Sequence, residues 1–236
     1  MDLSKLNKQQ EIAVKHIDGP MLVLAGAGSG KTKVLTSRIA YLIENGVKIE
    51  NILAITFTNK AAKEMKDRVI NLIGMDAKSI QISTFHSLGL RIIKENYAKL
   101  GYKSNFVILD SDDTLTVIKK IMKELNLNPK FYNARDIRNK ISSAKNEMMS
   151  PKEYAKVEFD RNIISVYESY NSKLLINNSV DFDDLLILPI KLFKMYPDVL
   201  KYYQDKYKYV LIDEYQDTNE AQYIFTKMLC NNHKNI

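Results

Sequence analysis

The sequence predicts a mixed α/β fold in which a parallel sheet flanked by helices carries an inserted all-helical block. Three observations lead there. Short, wholly apolar runs alternate with helical periods ahead of Phe106, the alternation then stops, and strand character returns at Tyr209-Val210-Leu211-Ile212. Strands covered on both faces read as unbroken apolar runs, and their alternation with helices is the pattern of a parallel sheet.

Each element has its own signal. Leu6, Gln10, Ala13, Val14 and Ile17 recur at helical spacing behind Asn7, an N-cap residue type, and Gly19-Pro20 closes that segment. Residues 21–25, Met-Leu-Val-Leu-Ala, read as the first buried strand. A glycine-rich turn follows, then a helix from Lys31 to about Glu44, ended by Asn45-Gly46. Residues 52–57 are expected as a second strand, 60–73 as a helix stopped by Gly74, 80–83 as a third strand, and 86–100 as another helix. Between Asp112 and about Leu175 only helices are expected, broken at residues 126–129 and at Ser150-Pro151. A helical stretch containing Pro197 precedes the strand at 209–212. The sheet domain is therefore expected from residues 1–105 and 180–236, and the helical insertion from 106–179. The sequence stops at Asn235-Ile236 without a polar tail, which reads as a cut in a longer chain.

Composition bounds the partners. Hydrophobic residues make up 45% and charged residues 27% of 236, the proportions of a soluble globular protein. No apolar run approaches the ~20 residues that cross a bilayer, so no membrane is expected. Met1-Asp2-Leu3-Ser4-Lys5 has no apolar stretch behind it and is not a secretory signal. The single cysteine, Cys230, allows no internal disulfide; it suits a reducing cytoplasm and reads as a small core residue. The net charge of +7 is compatible with a polyanion. Lys60, Lys63, Lys66, Arg68, Lys78, Arg91, Lys94, Lys99 and Lys103 face only Glu64, Asp67, Asp76 and Glu95 over that stretch. A solvated helix face gives the same excess, so the charge alone does not decide.

Chemistry is concentrated in two places. Ala25-Gly26-Ala27-Gly28-Ser29-Gly30-Lys31-Thr32 follows the phosphate-loop pattern, with Ala25 where a glycine usually stands. Such a loop turns its amides inward around phosphates, and the helix behind it adds a positive dipole end. Lys31 would reach the β- and γ-phosphates and the Thr32 hydroxyl would hold Mg²⁺. The second place is Leu211-Ile212-Asp213-Glu214, an apolar strand ending in two acids. There Asp213 can coordinate Mg²⁺ and Glu214 can orient and deprotonate an attacking water. Together these predict an NTPase that uses Mg²⁺.

Further stretches narrow the class. Residues 56–65, Thr-Phe-Thr-Asn-Lys-Ala-Ala-Lys-Glu-Met, resemble motif Ia of superfamily-1 DNA helicases of the UvrD/Rep type. Thr84-Phe85-His86-Ser87 resembles their next DNA-facing motif, and residues 213–219, Asp-Glu-Tyr-Gln-Asp-Thr-Asn, resemble motif II. Residues 180–185, Val-Asp-Phe-Asp-Asp-Leu, match the signature where the helical insertion rejoins the motor domain. Leu6-Asn7-Lys8-Gln9-Gln10 looks like the Q motif. The matches keep family order along essentially the whole chain.

The resemblance implies a RecA-like P-loop domain, 1A, carrying a helical domain, 1B, with the second RecA-like domain in cis lying outside these residues. Gln10 would read the adenine edge, although an exposed helix glutamine is the plain alternative. Thr56, Phe57, Asn59, Thr84 and His86 would face single-stranded DNA near its junction with duplex. For Phe57 a core aromatic, and for His86 a structural histidine, remain open. Gln216 and Asp217 would lie beside the γ-phosphate, and Asp217 could instead cap the next helix. Asp183 and Asp184 read as capping and junction residues rather than catalytic ones. Lys33 stands where the family commonly has arginine; the planar guanidinium is lost and its packing near adenine is in doubt.

The full protein is then expected to be an ATP-dependent 3′–5′ helicase or translocase in DNA repair or replication. These residues alone would bind nucleotide weakly and not unwind. A recombination helicase–nuclease shares the motifs, and its nuclease domain would lie downstream. A stand-alone nucleotide-gated DNA-binding module would require a naturally complete chain. Pathway, oligomeric state and loading partners leave no mark in the sequence.

Overall fold

The computed structural model describes residues 3–26 and 28–236. In chain order its elements begin with α1 (Lys8–Lys15), α2 (Lys31–Glu44), β1 (Ile52–Thr56), α3 (Asn59–Ile73), β2 (Gln81–Thr84) and α4 (Phe85–Asn96). Next come β3 (Val107–Ile108), α5 (Ser111–Glu124), α6 (Ala134–Asn146), α7 (Pro151–Tyr154), α8 (Arg161–Ile176) and β4 (Ser179–Val180). The last are α9 (Asp184–Met195), α10 (Pro197–Lys206), β5 (Tyr209–Ile212) and α11 (Glu220–Cys230). The fold is mixed α/β with a parallel sheet and mostly helix.

The chain forms two compact units. One takes residues up to Leu88 with Tyr196–Thr218 and Thr226–Ile236; the other takes Gly89–Met195 with Asn219–Phe225.

The first unit is built on a three-stranded parallel sheet of order β2-β1-β5. β1 is central and wholly buried, with Ala54 opposite Ile82 and Leu211. Ile39, Leu42, Met65, Val69 and Ile80 pack with Ile52 and Ala54, so α2 and α3 cover the sheet. Two helices of this unit carry their own start signals. Asn7 caps α1 through a reciprocal box with Gln10, and the Thr58 side chain caps α3 by accepting from the Ala61 N–H.

The expected first strand is corrected. Residues 21–25 join no sheet, and Leu22 and Leu24 are 67% and 86% exposed. Met21 donates its N–H to the Ile236 carbonyl at 2.8 Å, while Asn235 accepts from the Val210 N–H at 3.0 Å. Residues 235–236 thus separate β5 from Met21, and among the described residues no backbone ladder forms along 22–25. An apolar run becomes a strand only where a neighbouring backbone pairs with it.

The second unit is mainly helical. Ile118, Ile121, Ile137, Ile141, Val166, Tyr167 and Tyr170 of α5, α6 and α8 form its core. Two strands the sequence did not reveal, β3 and β4, pair in parallel there, and each is too short to show a period of two. Within this unit lies a buried charge cluster. The Lys145 ammonium bonds Asp181 at 2.7 Å and Asp184 at 2.8 Å, and the Tyr170 hydroxyl donates to Asp181 at 2.9 Å. Burial alone would pull the Lys145 ammonium down, but the Asp184 and Asp181 carboxylates outweigh it and raise it. Capping at the start of α9 falls on Asp181, which accepts from the Asp184 N–H at 2.8 Å.

Candidate functional site

The phosphate-loop sequence leads directly into α2. Gly28 and Gly30 have φ of +72° and +86°, left-handed conformations that a side chain would strain. Ala27 lies outside the described residues; Ala25, Gly26, Gly28 and Ser29 are exposed, and Gly30 and Thr32 are half-buried. α2 starts at Lys31-Thr32-Lys33 with no acid in its first turn and no side-chain cap. Two cations at the positive end of a helix repel the dipole, so an anion is the group that would stabilise this terminus. The Lys31 ammonium bonds the Ala25 carbonyl at 3.2 Å.

The two acids stand at the carboxyl end of β5, beside the end of β1, where the Asp213 N–H bonds the Ile55 carbonyl at 2.9 Å. Burial raises the Asp213 carboxyl above its ordinary range, the Glu214 charge adds to that, and Lys31 opposes it. Glu214 adopts a left-handed backbone, φ +50° and ψ 45°, which breaks the strand direction at that residue. The Gln216 amide donates to the Glu214 carboxylate at 2.6 Å. Lys31, Asp213, Glu214 and Gln216 all line one cavity of about 680 Å³, walled by Leu22, Val34 and Leu211 among others.

Gln10 reaches the loop, and Lys33 reaches the segment ahead of α1. Gln10 bonds the Ser29 carbonyl at 3.0 Å, and the Lys33 ammonium bonds the Lys5 carbonyl at 2.6 Å. Lys33 is therefore tied to the segment before α1.

The residues expected to face DNA gather at the carboxyl ends of β1 and β2, where Thr56 pairs with Thr84. Both threonines are buried. Thr84 accepts from the Ser87 N–H at 3.2 Å and donates to the Ser87 hydroxyl at 2.9 Å. Ser87 in turn donates to exposed Asn59 at 3.4 Å. Phe57 is half-buried, with its ring edge-on to buried Phe85 at 6.2 Å between centroids. His86 is half-buried, and burial lowers its imidazole below the usual range.

Asp217 does not cap α11; Asn219 does, accepting from the Gln222 N–H at 2.9 Å while its own N–H bonds the Gln222 side chain at 3.1 Å. A reciprocal box at Asn219 and Gln222 outcompetes a residue two positions further out. Sequence reasoning passed over Ser87, whose hydroxyl links Thr84 to Asn59. It also missed Asn146, which joins Asp183 to Asn219 by bonds of 2.9 and 2.7 Å. Ser87 sits inside a quoted motif and was findable. Asn146 is 37 residues from one partner and 73 from the other, and no local pattern marks it.

The comparisons agree with the motif order. Residues 6–236 match the UvrD/REP helicase N-terminal domain. Over 99% of its length the chain is 53% identical to the ATP-dependent DNA helicase PcrA of Bacillus subtilis, of which it covers 32%. It is 46% identical to the proteins of that name from Staphylococcus epidermidis and Staphylococcus aureus, covering 33% of each. The chain spans about a third of the length of these curated relatives. Among the described residues no helix is long and apolar enough to cross a membrane. With its motifs in order and the domain match running from residue 6 to residue 236, the chain belongs to the UvrD/REP helicase family.

Proposed function

We propose that these residues are the ATP- and single-stranded-DNA-binding part of an ATP-dependent 3′–5′ DNA helicase, with residues 1–105 and 180–236 as domain 1A and 106–179 as domain 1B. The observation that carries this reading is the shared cavity of Lys31, Asp213, Glu214 and Gln216. Loop amides and the Lys31 ammonium bind the triphosphate. The Thr32 hydroxyl and Asp213 carboxylate supply hard oxygen donors for Mg²⁺. No cluster of three or more His, Cys, Asp or Glu able to hold a metal occurs among the described residues. A cation held by these two oxygens would draw its other ligands from phosphate and water, as Mg²⁺ does. When bound, Mg²⁺ supplies charge neutralisation between the β- and γ-phosphates. Glu214, held by Gln216, orients the attacking water and takes its proton. The second RecA-like domain would supply arginine fingers, worth ~10³–10⁵ in rate, so these residues alone bind Mg-ATP weakly, turn it over slowly and do not unwind.

Lys31→Ala is expected to abolish Mg-ATP binding by calorimetry. Glu214→Gln should bind Mg-ATP as the unaltered chain does while losing its residual turnover. Hydrolysis that survives in Glu214→Gln would remove that residue from the chemistry.

The DNA face is proposed at Thr56, Phe57, Asn59, Thr84 and His86, where an aromatic ring lies beside polar groups at the sheet edge. Phe57→Ala should weaken single-stranded DNA binding by about 5- to 150-fold, the value of one base–aromatic stack. Fluorescence anisotropy at fixed salt reads this directly, because affinity also falls with salt. An unchanged affinity would return Phe57 to the core.

A further inference from the structure

Base recognition leaves one contact of Gln10 unexplained. Its side-chain N–H donates to the Ser29 carbonyl, 19 residues away, at 3.0 Å. Its oxygen accepts from the Asn7 N–H at 3.0 Å, and its own N–H bonds the Asn7 side chain at 2.8 Å, closing the box that starts α1. One end of the amide is therefore fixed to a helix terminus and the other to the phosphate loop.

α1 is itself fastened to α2. Ala13 and Val14 pack against Val34, and the buried Arg38 guanidinium donates to the Ala13 carbonyl at 3.2 Å. Ser29 lies between two glycines in left-handed conformations, where the backbone has the widest choice. The other bonds of Ser29, from its N–H and its hydroxyl to the Gly26 carbonyl, are local to the loop. The Gln10 bond ties it to a helix. A carboxamide has two N–H donors and two oxygen lone pairs. Each end has spent one, which leaves one donor and one lone pair for the edge of a base.

We propose that Gln10 is a positioning residue for the phosphate loop: through the Ser29 carbonyl it holds the loop in its phosphate-binding shape, and it thereby couples base recognition to the grip on the triphosphate. This rests on the nucleotide-binding reading above. A residue that reads only the base has no effect on a ligand without one, so inorganic tripolyphosphate separates the two roles.

In Gln10→Met, a neutral change of similar length, Mg-tripolyphosphate should bind about 5-fold more weakly, the value of one net hydrogen bond. Mg-ATP should weaken by at least as much. Unchanged tripolyphosphate binding with weakened ATP would overturn the proposal and leave base reading intact. If the unaltered chain bound neither ligand, the nucleotide reading would fall and this inference with it. Gln10→Glu serves as the second variant, since its carboxylate still accepts from the Asn7 N–H but cannot donate to Ser29. Without any ligand, amides of residues 28–31 should exchange hydrogen faster in this variant while α1 amides keep their rates. Loop exchange at the rate of the unaltered chain would overturn the proposal.

Discussion

Lys145→Met is expected to lower the stability of the chain by about 3–5 kcal/mol at neutral pH, the cost of breaking a buried ion pair by removing one partner. The ammonium is 3% exposed and holds two carboxylates that reach almost no water. Methionine fills the volume but leaves Asp181 and Asp184 facing each other through low dielectric. Burial already pushes the Asp184 carboxyl up, with Lys145 pulling it back. A carboxyl raised in the folded state favours folding below its unfolded pKa, and that contribution is lost as pH rises through the folded value. The deficit of Lys145→Met should therefore be largest at neutral pH and shrink towards pH 5. Urea titrations at both values measure it. A cost under about 1 kcal/mol, or a deficit independent of pH, would show that water reaches the cluster.

Gly89→Ala is expected to destabilise by about 3 kcal/mol, at the upper end of the usual cost of overpacking. On an exposed helix the same change would stabilise by about 1 kcal/mol, so the sign is the test. A Cβ at Gly89 would stand 1.8 Å from the Leu185 carbonyl oxygen and 2.9 Å from its carbon. Neither is the end of a flexible side chain. The reason for the close approach lies four residues on. Pro189, inside α9, has no N–H to give the Leu185 carbonyl, and its ring pushes that carbonyl outward. Only a residue without a side chain on α4 admits it. Thermal unfolding of Gly89→Ala beside Gly89→Ser, which should fare as badly, would measure the effect. A stabilised alanine variant would mean that α4 and α9 move apart at little cost.

Much of the fold was legible because its signals are local. Asn7, read as an N-cap from its residue type, caps α1. The break at Ser150-Pro151 fell where a capping box and a proline in the first turn coincide. Residues 21–25 misled because apolar character is local and pairing is not. The candidate site divides the same way. Lys31, Thr32, Asp213 and Glu214 stand in motifs whose spacing announces them. The Gln10–Ser29 bond, the Ser87 bridge and the Lys145 cluster depend on segments brought together only by folding. Lys145 in particular looks in sequence like any solvated helix lysine.

The ribbon at Met21–Ala25 has a practical consequence. Among the described residues the backbone of 22–25 joins no ladder, and beside exposed Leu22 and Leu24 it forms an adhesive seam, able to recruit the same stretch of another molecule in register. At high concentration these residues in isolation would tend to clump through that seam, while a polypeptide laid along it would quench the stickiness and stiffen the loop just downstream.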